Sequence, residues 1–200
     1  MQKRNERGSS IGILKKIDER FPPLSISIES LVREGSDREF RRLIQSLVHF
    51  GEMIVRHRDI YGAYIGVSGP QYVMMTVIAD LPDATTAQTA KIMSVSNQFV
   101  ASEISKLVDM QIIKKTTNAA DGRSMLLKLT AKGRNLLNEL GPLRRESNDL
   151  MYRSLTGDRA KVLQEIMSAL NADAEIALHQ LNAPHLRDRK APTATRAQKE

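Results

Sequence analysis

A predicted helix followed directly by a predicted β-hairpin, within residues 94–133, constrains the fold of this chain more than any other feature. Both arms of the hairpin, residues 112–117 and 124–130, are rich in β-branched and large apolar residues, as β-strands are. The link between them, residues 118–123, contains an Asn and a Gly, which suit a tight turn. These patterns predict two antiparallel strands joined by a short tip.

The segment ahead of the hairpin, residues 96–110, has the spacing of a helix. Val100, Ile104 and Leu107 lie four and three residues apart and predict one buried face. A helix joined to a basic hairpin is the layout of a winged helix-turn-helix. That layout makes double-stranded DNA the leading partner.

The chain has 200 residues, enough for one substantial domain, and a formal net charge of +7. In residues 91–134, eight Lys/Arg against three Asp/Glu leave a net +5, so the charge is concentrated on the predicted helix and hairpin. Contacts with DNA phosphates require such a surface. The alternative is that exposed lysines serve only solubility, and the charge alone does not decide between the two.

The sequence contains no Cys, which excludes disulfides and thiolate metal sites within this chain. It also has no Gly-rich phosphate loop, His-based zinc motif or nucleophile elbow. We therefore expect no enzyme activity, no metal and no cofactor. The longest apolar run, residues 72–79, is far shorter than the roughly 20 residues of a spanning helix, so we expect no membrane segment and a cytoplasmic protein.

Apolar periodicity and capping residues predict further helices, so the predicted fold class is mostly α. The helices are predicted at about 38–64, 69–81, 86–93, 131–152 and 157–181, with a short amphipathic one at 11–21. Ser36 or Asp37 can cap the helix that starts at residue 38. Gly141-Pro142 is expected to break or kink the helix that starts at residue 131.

Several short motifs, taken in order, resemble the multiple-antibiotic-resistance regulator (MarR) family of winged-helix transcription factors. The matching residues are Gly66-Val67-Ser68-Gly69-Pro70-Gln71-Tyr72, the apolar positions Ala90, Met93, Val95, Val100, Ile104 and Leu107, the wing residues Asp121-Gly122-Arg123, and Leu129-Thr130-Ala131-Lys132-Gly133. Each motif alone is weak. Their order and spacing together are specific, and the resemblance covers residues 38–181.

Several positions depart from the family pattern. Ser94 and Gln111 stand where relatives often have Gly, so either Gln111 adopts a left-handed conformation or the helix before it ends differently. Ser102 and Glu103 occupy a stretch where relatives often carry Arg. The known operators of the family are therefore not carried over to this chain.

The resemblance implies a winged helix-turn-helix with a small β-hairpin wing and with N- and C-terminal helices that form a dimerisation layer. It divides the chain into an N-terminal extension (1–36), a MarR-like domain (37–183) and a disordered basic tail (184–200). Within the domain, the DNA-binding lobe covers about 68–133, and the dimerisation helices cover about 38–65 and 131–181. The implied function is that of a homodimeric transcriptional regulator, usually a repressor, on a palindromic operator.

In such a complex the helix over residues 96–110 lies in the major groove. Its outward candidates for DNA contact are Ser96, Asn97, Gln98 and Ser102. An Asn or Gln amide can form two hydrogen bonds with adenine, and a Ser hydroxyl can bind a base or a phosphate. The alternative is that Ser96 only caps the helix and that the amides are solvated surface.

The wing supplies the remaining candidates for DNA contact. The resemblance implies that Arg123 enters the minor groove. Asp121, two residues earlier, can pair with or orient this arginine, and we expect Lys114, Lys115 and Lys128 to contact phosphates without reading sequence. The alternative for Asp121 and Arg123 is a surface ion pair of little energetic value.

Family members often bind small aromatic or phenolic anions between the dimerisation helices and the DNA-binding lobe. The residues of this chain that could serve such an effector are His49, Arg56, His57, Tyr61, Tyr64 and Tyr72. The alternative is that the tyrosines belong to the core and the histidines to the surface. A further alternative keeps the fold but makes the protein an interaction or DNA-architectural module without ligand response.

Overall fold

The computed structural model describes residues 21–117 and 125–182. Three parts of the predicted architecture lie outside the described residues. They are nearly all of the predicted N-terminal helix, the wing tip with Asp121 and Arg123, and the basic tail from residue 184 onward.

The described residues form six α-helices and one two-stranded antiparallel sheet, so the prediction of a mostly α fold is confirmed. The elements are α1 (Arg38–Tyr64), α2 (Gly69–Asp80), α3 (Thr86–Met93), α4 (Asn97–Asp109), β1 (Ile113–Thr117), β2 (Met125–Leu129), α5 (Ala131–Met151) and α6 (Gly157–Leu181). They belong to two compact units, with the boundary between Pro142 and Leu143.

Helix α1 is long, and only its C-terminal end is buried, at Tyr61 and Gly62. It ends beside Gly66, whose φ of 75° suits a residue without a Cβ. Most apolar side chains on its N-terminal half are exposed; these are Leu43, Ile44, Leu47, Val48 and Phe50. The core of the first unit therefore covers one end of α1 and leaves the rest of its apolar face open.

Of the two residues predicted to cap α1, Ser36 and Asp37, the second does not cap it. Asp37 occupies the N-cap position, but its side chain forms no capping hydrogen bond. The fully buried carboxylate instead accepts hydrogen bonds from the amide and hydroxyl of Ser25, both at 2.6 Å, and pairs with Arg41. Asp37 thus ties the segment before α1 to the first turn of the helix, while the Ser36 hydroxyl accepts from the amide of Arg38 at 3.3 Å.

Helices α2 and α3 begin with capping boxes. In α2 the hydroxyl of Ser68 accepts from the amide of Gln71 at 3.3 Å, and the side-chain oxygen of Gln71 accepts from the amide of Ser68 at 3.0 Å. Thr85 and Gln88 make the same reciprocal pair at the start of α3. Both helices start within a residue of the predicted positions because these caps are local in sequence.

The hairpin is regular over its described part. Ile113 pairs with Leu129 and Thr117 with Met125, and the sheet is antiparallel. The amide of Leu127 also donates to the carbonyl of the buried Ala84 at 2.7 Å, which attaches the hairpin to the loop before α3. The predicted wing is therefore joined to the helix-turn-helix by backbone as well as side chains.

The junction between α4 and β1 bends sharply at Gln111, whose φ is 58°. The expected left-handed conformation is therefore present. The hydroxyl of Thr130 donates to the carbonyl of Gln111 at 2.7 Å, and the amide of Gly133 donates to the same hydroxyl at 3.1 Å. Thr130 thus caps α5, as predicted, and also holds the bend.

Side chains from α1 to α5 and from both strands share one core. Its fully buried members include Met74, Met75, Val100, Ile104, Leu107, Ile112, Ile113, Leu127 and Leu140. The predicted buried face of α4, with Val100, Ile104 and Leu107, is at its centre. The opposite face of α4 is consequently turned to solvent.

The sequence predicted a break or a kink at Gly141-Pro142; helix α5 is continuous although Pro142 lies inside it, so the break does not occur. Proline has no N–H to donate to the carbonyl four residues earlier, which removes one backbone hydrogen bond without ending the helix. The boundary between the two compact units falls directly after this residue.

The second unit contains the end of α5 and the whole of α6. None of the residues of α6 is buried. Its exposed large apolar side chains are Val162, Leu163, Ile166, Met167, Leu170, Ile176, Leu178 and Leu181. Within residues 21–117 and 125–182, no helix is long and apolar enough to cross a membrane.

Candidate nucleic-acid interface

Helix α4 has one buried and one exposed face, and the predicted DNA-contact residues lie on the exposed one. Asn97, Gln98 and Ser102 are all exposed. Val100 and Ile104, on the opposite face of the helix, have no exposed surface. The two amides lie in the first turn, where the N-terminus of a recognition helix approaches base edges. The helix therefore presents hydrogen-bonding groups in a fixed direction.

Ser96 is the N-cap of α4, and its hydroxyl accepts a hydrogen bond from the amide of Phe99 at 3.2 Å. Ser96 is exposed, and its hydroxyl proton is not used by this contact. The serine can thus cap the helix and donate outward at once, so its two sequence-based interpretations are compatible.

Glu103 is the more buried of the two acidic residues of α4, and its side chain is 12% exposed. Its carboxylate accepts from the side-chain amide of Gln71 at 2.9 Å and from Lys106 at 2.6 Å. These contacts, the one from Lys106 first, hold the pKa of Glu103 below its ordinary value against the opposing effect of burial. The sequence marked Glu103 only as a departure from the family pattern. Its partner on α2 is 32 positions away, which no local pattern reveals.

The wing brings two of its three predicted lysines together. Lys114 and Lys128 are directly opposite each other in the hairpin, and both are exposed. Lys115 pairs with Leu127 at the next position and therefore lies on the other face of the sheet. Like charges directly opposite each other destabilise a hairpin, so this pair carries a cost that a bound polyanion would remove.

Lys132, which contributes to the basic charge of this region, has a different position. Its ammonium group donates to the carbonyl of Met110 at 2.9 Å, at the C-terminal end of α4. A cation at a helix C-terminus is favourable because of the helix dipole. Lys132 thus stabilises the C-terminal end of α4.

The predicted effector residues separate into two groups. His57, Tyr61 and Tyr72 form a chain of edge-to-face ring contacts, with centroid distances of 6.2 Å and 5.6 Å. Tyr61 and Tyr72 are only 5% and 6% exposed, so both belong to the core. The other three, His49, Arg56 and Tyr64, are exposed on α1 and do not join these ring contacts.

An open groove of about 470 Å³ lies elsewhere in the first unit, between α1, α2, α3 and α4. Its lining is Val55, Arg58, Asp59, Gly69, Pro70, Val73, Thr76, Val77, Ile92, Met93, Val95 and Phe99. None of the six predicted effector residues lines it. Sequence reasoning missed the groove because its walls come from four elements.

Comparison with known proteins gives a consistent set of matches. No family model matches the chain. It is 24% identical over 109 residues to HTH-type transcriptional repressors of Mycobacterium tuberculosis and Mycobacterium bovis, covering 54% of this chain and 78% of each relative.

Among solved structures, a mutant MarR from E. coli in complex with operator DNA aligns with a TM-score of 0.56 at 19% identity, covering 66% of this chain and 95% of that one. A MarR/EmrR family regulator from Acinetobacter sp. ADP1 aligns with a TM-score of 0.59 at 14% identity, covering 68% of this chain and 96% of that one. The fold is therefore that of the MarR-type winged-helix proteins, as the motifs predicted.

Proposed function

We propose that this protein is a sequence-specific DNA-binding transcriptional regulator, acting as a repressor, that binds a palindromic operator as a homodimer. The observation that carries the proposal is the exposed polar face of α4, with Asn97 and Gln98 in its first turn, on a helix whose other face is fixed in the core. The relatives named as HTH-type transcriptional repressors and the operator-bound MarR structure support the same function. An enzyme has no comparable support.

In this proposal α4 contacts the edges of the DNA bases, and the wing contacts the DNA phosphate backbone. Asn97 and Gln98 contact bases, and Ser96 and Ser102 contact bases or phosphates. Lys114 and Lys128 contact phosphates, which removes the repulsion between them. From the resemblance, Arg123 enters the minor groove with Asp121 orienting it, and Lys115 contacts phosphate at longer range.

Two copies are needed because one recognition helix reads only a few base pairs. The exposed apolar residues of α1 and α6 support self-association, since exposed apolar surface of this kind often marks a protein–protein interface. In α6 an apolar residue recurs at alternating spacings of four and three, at Leu163, Met167, Leu170, Ala174, Ala177 and Leu181. This is the spacing of a helix that packs lengthwise against another helix.

The test compares a duplex selected by the protein from a random pool with a scrambled duplex of equal length, as salt is raised. A regulator keeps the selected duplex at salt concentrations that release the scrambled one. An architectural module loses both in parallel, and that result would overturn the proposal. The variant Asn97→Ala should lower affinity for the selected duplex alone, and Lys114→Ala should lower affinity for both.

Arg123 provides a separate test based on the resemblance. We expect Arg123→Ala to weaken binding of the selected duplex while the protein stays dimeric. Unchanged affinity at fixed salt in a gel-shift titration would rule that role out.

The groove supports a second proposal, that a small aromatic anion regulates binding. Phe99, at the third position of α4, and Arg58 both line it, so a ligand there would touch the proposed recognition helix directly. The ring contacts of His57, Tyr61 and Tyr72 are the other candidate site. A phenolic carboxylate should raise the melting temperature and release DNA. Loss of both effects in Arg58→Ala but not in His57→Ala would assign the ligand to the groove, and the reverse would assign it to the ring contacts.

A further inference from the structure

Glu103 holds both oxygens of its carboxylate in separate contacts. One oxygen accepts from the side-chain amide of Gln71 on α2 at 2.9 Å, and the other accepts from Lys106 at 2.6 Å. The side chain of Glu103 is 12% exposed and that of Lys106 is 58% exposed. The carboxylate is thus fixed between two helices, with the lysine held over its outer side.

Gln71 fixes the other end of this bridge. Its side-chain oxygen accepts a hydrogen bond from the backbone amide of Ser68, and its backbone amide donates one to the Ser68 hydroxyl. Because the oxygen is committed to the capping box, the side-chain NH₂ group must face Glu103. The recognition helix is therefore hydrogen-bonded to the N-terminus of α2 through a side chain that cannot turn over.

The N-terminus of α2 is in turn held closely against α1. A Cβ on Gly62 would lie 2.7 Å from the carbonyl carbon of Ser68, and a Cβ on Gly69 would lie 3.2 Å from the Cα of Asp59. These backbones approach each other as closely as glycine allows. Continuous contacts therefore run from α1, through the start of α2 and Gln71, to Glu103 on α4.

A carboxylate on a helix that faces DNA repels phosphate, so its presence there has an electrostatic cost. We propose that Glu103 is a positioning residue that fixes the angle of the recognition helix to α2 and keeps Lys106 away from phosphates, which raises discrimination between DNA sequences at the expense of total affinity. This inference rests on the proposed function, because it concerns how α4 reads DNA. It makes Glu103 a determinant of specificity that does not itself touch a base.

Three variants separate the two roles of the carboxylate. Glu103→Ala removes the bridge and releases Lys106. Glu103→Gln keeps an oxygen that can accept from Gln71 but removes the ion pair with Lys106. Asp109→Asn removes one negative charge from the same helix at an exposed position and serves as the matched control.

The experiment measures affinity by fluorescence anisotropy for the duplex selected by the wild type and for its scrambled counterpart, over a range of salt concentrations. We expect Glu103→Ala to lower the ratio of the two affinities by about tenfold, as the loss of an oriented base contact does. Its binding to the scrambled duplex should depend more steeply on salt, by about one additional phosphate contact. Glu103→Gln should restore the ratio but keep the steeper salt dependence, and Asp109→Asn should leave the ratio unchanged.

If the wild type discriminates between the two duplexes and Glu103→Ala has the same ratio of affinities, the inference is overturned and the proposed function stands. An equal decrease of this ratio in Glu103→Ala and Asp109→Asn would also overturn the inference, since the loss of one negative charge would then explain the effect. If the wild type binds both duplexes equally, the proposed function fails and the inference falls with it. Circular dichroism identifies a misfolded Glu103→Ala, in which case the ratio of affinities is measured with Gln71→Glu, which keeps an acceptor for the α2 capping box and removes the donor to Glu103.

Discussion

On either side of α4, two described residues other than glycine adopt left-handed backbone conformations at places where the chain must turn. Ser94 has a φ of 55° between α3 and α4, and Gln111 has a φ of 58° between α4 and β1. A residue with a Cβ is strained there by about 1–2 kcal/mol. Both bends set the direction in which α4 leaves its neighbours, so the strain is located beside the proposed recognition surface.

Replacing Gln111 by Gly should relieve this strain. We expect Gln111→Gly to raise the free energy of unfolding by about 0.5–1 kcal/mol, because the gain at positive φ exceeds the entropy that glycine adds to the unfolded chain. Urea denaturation measures the change. Met110→Gly is the control, since Met110 has a φ of −74° and should lose stability. A less stable Gln111→Gly would show that its side chain stabilises the bend.

Gly133 has a steric role that can be tested within one helix. A Cβ at this position would lie 2.4 Å from the carbonyl oxygen of Ile112, which is backbone and cannot move aside. We expect Gly133→Ala to lower the free energy of unfolding by about 1–3 kcal/mol through overpacking. Gly141→Ala, also in α5 and with no atom within 4 Å of its Cβ, should instead be neutral or stabilising. Equal effects of the two changes would contradict this explanation.

At the scale of elements, the sequence predicted the features that depend on residues close together in the chain, such as helix starts and buried helix faces. The start of α2 follows from Ser68 and Gln71, three residues apart, and the buried face of α4 follows from the spacing of Val100 and Ile104. Long-range contacts had no such signal. The Gln71–Glu103 bridge and the lining of the groove join residues far apart in sequence, so only the fold brings them together.

In two places one of the two alternatives that the sequence allowed is wrong, Asp37 as a helix cap and a break at Gly141-Pro142. Asp37 looks like a helix cap because Asp commonly occupies that position, but Ser25, 12 residues earlier, supplies a better pair of donors. Gly141-Pro142 looks like a break because proline removes a backbone hydrogen bond. The α5 helix continues through it nonetheless, so the flanking turns outweigh that single loss.

The attachment of the segment before α1 should depend on pH. Hydrogen bonds from the Ser25 side chain and backbone, and then the charge of Arg41, hold the pKa of Asp37 below its ordinary value of 3.8. A lowered folded-state pKa stabilises the protein above the unfolded value, and that stability is lost as pH falls through the folded pKa. We expect Asp37→Asn to be less stable than the wild type at neutral pH, with the difference shrinking below about pH 4.

Thermal denaturation between neutral and acidic pH measures this difference. Asp83→Asn, at an exposed loop position, is the control and should show no such narrowing. A constant difference between Asp37→Asn and the wild type at all pH values would mean that the charge of Asp37 does not contribute.

At the scale of the whole molecule, the proposed function predicts that the exposed apolar residues of α6 are needed both for stability and for DNA binding. A helix with no buried residue gains little from its own unit and gains much from a second helix packed along it. The same contact would set the distance between two recognition helices. Dimerisation and operator recognition should therefore fail together.

Leu170 lies in the middle of the apolar repeat of α6 and tests this link. We expect the wild type to sediment as the proposed dimer and Leu170→Glu as a monomer, because the repeat would place a charge between two helices. Affinity for the selected palindromic duplex should fall by about 100-fold or more, since one half-site contact replaces two linked ones. Gln164→Glu adds the same charge on the polar side of α6 and should leave both properties unchanged. A Leu170→Glu protein that remains dimeric would move the interface to the exposed apolar face of α1, and a monomer that still binds the duplex at full affinity would contradict the link itself.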